Sequence, residues 1–114
     1  MARIYSALAA GGAVDGIRLL AGETVELAAS EVSGGHDVVL DRPSRFGLGF
    51  QLTQPERPLG PSPRSFGHFG AGGSLGFADP DQALAFAYTP NQGAGPLWQN
   101  PRNRGLIDAL YAAV

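Results

Sequence analysis

The chain has 114 residues, a formal charge of −2, no cysteine, and eight basic residues that are all arginine. That length holds one domain with a single modest core, and the charge offers no basic footprint for nucleic acid; a chain without cysteine has no disulfide, thiol or thiolate metal chemistry. No 18-residue apolar run is present to span a bilayer, and the N-terminal dozen residues are too short and polar for a signal peptide, so the cytoplasm is the expected compartment.

Ala2 to Ala10 reads as a helix, with Ile4, Ala7 and Leu8 on one face and Gly11-Gly12 as its stop. Gly16 marks a turn before Ile17–Leu20. Glu23 to about Ser30 reads as a second helix, with acids in its first turn and Val25, Ala28, Ala29 and Val32 as its apolar spacing. Ser33 to Ser44 carries Gly34-Gly35 and Pro43 and is expected to be a loop. Phe46 to Leu52 alternates large and small residues with the period of a strand. Gln54 to Ser65 contains four prolines and reads as an extended surface loop.

Phe66–Phe69 is then expected as a short strand, Ser74–Ala78 as its partner, and Ala83–Thr89 as a third strand after the Asp79-Pro80-Asp81-Gln82 turn. Pro90 to Gln99 reads as a loop. Asn100-Pro101 is a cap and first-turn pair for a last helix striped by Leu106, Ile107, Leu110, Tyr111 and Val114. The expected fold class is α+β, an antiparallel sheet of about four strands flanked by N-terminal helices and a C-terminal helix.

The densest chemistry lies in Ser65–Asp81, where Gly67, Gly70, Gly72, Gly73 and Gly76 surround His68 and Ser74. Glycine costs backbone entropy, so this density points to sharp turning or a close approach. A phosphate loop needs a lysine, which the chain lacks. The dinucleotide pattern G-x-G-x-x-G fails because Leu75 stands where its third glycine belongs. Gly72-Gly73-Ser74-Leu75-Gly76 does spell G-x-S-x-G, but Pro80 argues against a following helix, and both His36 and His68 precede Ser74 instead of following it. His68 reads either as a solvated strand histidine or as part of an active-site wall. Two histidines without an acidic partner at ligand spacing give no metal site, and Asp79 and Asp81 read as a solvated turn.

His68-Phe-Gly-Ala-Gly-Gly-Ser-Leu-Gly-Phe-Ala-Asp-Pro-Asp81 resembles the H-x-G-x-G-G-S-x-G-F-x-D-P motif of serine β-lactamase-related proteins, in the class C-like branch that includes the family VIII carboxylesterases. The opening helix, G-I-R-L-L-A-G-E-T-V-E, R-F-G-L-G-F and the tail R-N-R-G-L-I-D-A-L-Y extend the resemblance over nearly the whole chain. It implies that His68-Phe69-Gly70 stands where relatives carry K-T-G on the active-site strand. It further implies that the Ala71 N–H is an oxyanion-hole donor, that Gly70 and Phe69 lie against substrate, and that His68 meets the catalytic tyrosine region or the polar edge of the substrate. Asn91 and Asn100 then fall where relatives contact the far end of the substrate.

The departures are large. Without lysine there is no S-x-x-K nucleophile motif. Nor is there a Y-x-N, since Tyr5, Tyr88 and Tyr111 are followed two places on by Ala7, Pro90 and Ala113. The resemblance therefore implies one domain over 1–114, the C-terminal part of a serine hydrolase acting on a small ester or amide, with no cofactor and no turnover in isolation. Two other readings stand beside it: a non-catalytic remnant or interaction module, and a self-contained hydrolase using Ser74 with His68.

Overall fold

A computed structural model describes residues 1–93 and 100–114, so the end of the expected 90–99 loop lies outside the described residues. The chain opens with α1 (Ala2–Ala9), followed by a small hairpin of β1 (Ala13–Val14) and β2 (Ile17–Arg18), and then α2 (Gly22–Ala28). The turn between β1 and β2 uses Asp15 and Gly16, both at positive φ, which suits the right-handed twist of a two-residue hairpin.

The main sheet is fully antiparallel and has six strands in sequence order: β3 (Ser33–Asp37), β4 (Arg42–Phe46), β5 (Gln51–Leu52), β6 (Phe66–Phe69), β7 (Leu75–Asp79) and β8 (Leu84–Tyr88). The last helix, α3, covers Pro101–Tyr111. The α+β class holds, and the sheet is larger than the four strands expected.

Two local misreadings account for the difference. Residues 33–44 are not a loop but most of the β3–β4 hairpin, in which His36 pairs with Pro43. Its turn is held by Asp37, whose carboxylate accepts the Val39 and Leu40 amides at 2.9 Å each, a side-chain device that supplies the turn glycine or proline would otherwise signal. The run Phe46–Leu52 is not one strand either. It folds back on itself, with the Gly47 amide donating to the Phe50 carbonyl at 2.9 Å and the Leu48 amide donating to Ala28 of α2. A side chain at Gly47 would overlap the Ala28 carbonyl, so the glycine that looked like an empty strand face marks a corner tucked under α2.

Two apolar clusters sandwich the sheet. On one face α1 and α2 contribute Leu8, Ala9 and Val25 against Leu52, Phe66 and Ala78. On the other, Ile107 of α3 packs with Leu59, Phe69, Leu75 and Phe77. Leu59 shows that the proline-rich 54–65 segment is more than a surface loop, because its middle is pinned into this core. The helical stripes are narrower than expected: Ile4, Val32 and Leu106 are exposed, and Asn103 takes a core position on α3.

Candidate active site

Strand β6 alternates its side chains between the two faces. Phe66 and His68 point to the α1/α2 side, while Phe69 enters the α3-side core and is only 7 % exposed. The Phe69 side chain is therefore a packing anchor, contrary to its expected contact with substrate. Its backbone is also engaged, the amide donating to the Gln51 side chain and the carbonyl accepting from His68.

His68 is exposed, with its ring 6.2 Å from that of Phe46. Its Nδ1 lies 2.6 Å from the Phe69 carbonyl oxygen. A carbonyl can only accept, so Nδ1 carries the hydrogen, and in the neutral form of the ring Nε2 is the acceptor. No hydrogen bond joins His68 to Ser74 among the described residues. The Ser74 Oγ instead fills the space a side chain at Gly70 would occupy. This geometry gives no support to a Ser74–His68 nucleophile pair.

Beyond β6 the chain makes a glycine turn. The Gly70 amide donates to the Ser74 carbonyl at 2.8 Å and the Gly73 amide to the Gly70 carbonyl at 3.1 Å. Gly72 and Gly73 both sit at positive φ, which other residues adopt only under strain. Between these fixed points Ala71 is exposed, and its N–H has no acceptor among the described residues.

Two further segments converge on this turn. Gly93 closely approaches Gly72, which brings the segment holding the exposed Asn91 alongside. The start of α3 arrives from the other side, where Asn103 Nδ2 donates to the Gly73 carbonyl at 3.4 Å. Asn100, by contrast, is 4 % exposed and works as the helix cap: its side-chain oxygen accepts from the Arg102 and Asn103 amides at 2.9 and 3.2 Å. Its oxygen is thus committed to the cap, while its buried Nδ2 has no partner among the described residues.

Asp79 corrects a second expectation. It is not part of a solvated turn but fully buried, accepting from the Asp81 and Gln82 amides and from the Tyr111 hydroxyl at 2.5 Å. Burial first, and the Asp79 carboxylate second, push the Tyr111 phenol above its ordinary range. Sequence reading missed Asp79, Asn103 and the tyrosine hydroxyl because each acts through a partner about 30 residues away.

The sizeable cavity among the described residues, about 520 Å³, lies elsewhere. It sits between α1, α2 and the start of β6, lined in part by Leu8, Val25, Glu31, Arg45, Leu52 and Phe66, and it includes none of His68–Ala71. Within His68–Ala71 the two end residues are exposed, while Phe69 is buried and Gly70 half-buried. No group of three or more histidine, aspartate or glutamate side chains among the described residues could hold a metal ion, and no helix is long and apolar enough to cross a membrane.

The Beta-lactamase family profile matches residues 1–110, and the chain belongs to that family. Esterase/beta-lactamase LipL of Mycobacterium tuberculosis is 39% identical over 97 residues, which is 85% of this chain and 22% of that protein. A family VIII carboxylesterase superposes with a TM-score of 0.94 at 36% identity, over 99% of this chain and 30% of that one. A penicillin-binding protein homologue from Caulobacter crescentus gives 0.94 at 39% identity with the same coverage. The chain thus spans less than a third of the length of these relatives.

Proposed function

We propose that this chain supplies the H-x-G wall of a serine hydrolase that cleaves small esters or amides through an acyl-enzyme. In this reading the Ala71 N–H is one donor to the oxyanion that forms when a serine attacks the substrate carbonyl. His68 Nε2 faces the reacting group or the hydroxyl that activates the serine, and the Asn91 segment borders the substrate. The observation that carries the reading is the exposed Ala71, whose amide has no acceptor among the described residues and sits between two hydrogen-bonded glycines. A fixed N–H on a rigid frame needs no reorganisation as charge develops, which is why such donors are worth about 10² to 10³ in rate.

The nucleophile is not among these residues, since S-x-x-K requires a lysine. That same fact favours the second reading, a remnant or interaction module that kept the sheet without the chemistry. A chimera separates the two: residues 1–114 replace the matching third of the family VIII carboxylesterase, and hydrolysis of p-nitrophenyl butyrate is followed. Turnover that falls about 10²-fold in His68→Ala or Ala71→Pro supports the hydrolase reading. A folded chimera that never forms an acyl-enzyme supports the remnant.

A further inference from the structure

The turn that carries Ala71 is built from the most pliable residues in the chain. Gly70, Gly72 and Gly73 flank it, and two of these lie at positive φ. Among the described residues two backbone hydrogen bonds are made inside the turn, from the Gly70 and Gly73 amides. The Gly73 amide bonds the Gly70 carbonyl, which lies in the same planar peptide as the Ala71 N–H, so the direction of that N–H follows from where Gly73 is held.

A side chain from α3 in turn ties Gly73. Asn103 is fully buried, which is rare for a carboxamide and costly unless both of its polar ends are paired. Its oxygen accepts the Asn100 amide at 3.1 Å and completes the reciprocal cap of α3. That cap needs only an acceptor. The Nδ2 group is surplus to it and is spent on the carbonyl of Gly73, 30 residues earlier in the chain.

We infer that Asn103 is a positioning residue: by holding the Gly73 carbonyl against the start of α3, it sets the direction in which the Ala71 N–H points. The inference rests on the reading of Ala71 as an oxyanion donor for its functional meaning, but its geometric content can be tested separately. Asn103 touches no reacting atom; it acts through Gly73.

Asn103→Asp isolates the effect. Aspartate keeps the acceptor for the Asn100 amide and is welcome in the first turn of a helix, so the cap survives. Its second oxygen faces the Gly73 carbonyl as acceptor against acceptor, and the tie is lost. Ile107→Val is the control, since it loosens α3 in the core without touching the turn.

In amide correlation spectra of the 114-residue chain, Asn103→Asp should shift Ala71, Gly72 and Gly73 and raise exchange at the Gly73 amide about tenfold. The Arg102 amide, bonded to Asn100, should stay put, and Ile107→Val should leave the turn amides in place. In the active chimera, Asn103→Asp should lower kcat about 10- to 100-fold with KM nearly unchanged, while Ile107→Val changes neither.

If Asn103→Asp fails to fold, Asn103→Ser, too short to reach Gly73, takes its place. Unfolding of both, or turn amides that do not distinguish Asn103→Asp from Ile107→Val, overturns the inference. An inactive wild-type chimera with the expected shifts in the chain would instead remove the hydrolase reading and leave the positioning role standing.

Discussion

The two faces of the sheet are finished to different degrees. On the α3 face the core is closed: Leu59, Leu75, Phe77 and Ile107 are essentially inaccessible, and Tyr111 stacks on Phe77 with its ring nearly parallel. Polar ties reinforce it, with Tyr111 bonded to Asp79 and Asn103 to Gly73. On the α1/α2 face neither helix has a side-chain cap, a cavity of about 520 Å³ lies between α1, α2 and the start of β6, and Ile4, Leu27, Val32 and Leu48 remain exposed. His68 points to this second face. Strand β6 is thus closely packed on its α3 side, where Phe69 is buried, while His68 is exposed on the other.

The contrast is sharpest in stability. Phe77→Ala, in the closed core, should cost about 3 to 5 kcal/mol, read as a shift in the urea midpoint. Asp79→Ala should follow at about 1 to 3 kcal/mol, because it leaves the half-buried Tyr111 hydroxyl and two turn amides without their acceptor. Leu52→Ala, on the rim of the cavity, should fall near the low end for a large-to-small change, about 2 kcal/mol, since the site is already loosely packed. A cost for Leu52→Ala equal to that for Phe77→Ala would erase the distinction between the faces.

The smallest effect concerns pH. The folded state raises the Tyr111 pKa above its ordinary 10.0, so the folded chain keeps this proton more tightly than the unfolded one. The stabilisation it provides is whole below pH 10 and is lost as pH climbs toward the raised value. Tyr111→Phe should therefore flatten the alkaline fall in stability, measured by urea titration between pH 9 and 11 on the order of one unit apart. Tyr5 also carries a raised pKa from burial, so some slope should persist in the variant.

Legibility tracked the range of the interaction. Strand β6 was readable to the residue because Phe66 and Phe69 bracket a short apolar stretch that ends in glycine. The start of α3 was readable because Asn100-Pro101 is a local cap signal. The β3–β4 hairpin was hidden because Asp37 makes its turn through a side chain and Pro43 looks like a breaker, although the strand tolerates it. Asp79 reads from the sequence as solvated and is fully buried, and the capping role of the buried Asn100 takes up its side-chain oxygen. Both are buried polar groups whose partners only the fold supplies.

By itself the chain order of apolar, glycine and capping residues determined the α+β class, the H-x-G strand, its glycine turn and the final helix, since each depends on neighbours a few residues apart. Only the tertiary structure decided which polar groups would be buried and paired, and that the exposed Ala71 would keep an amide with no acceptor among the described residues. A hydrogen bond between residues 30 apart depends on where two elements meet in space, and that meeting has no local signature in the sequence.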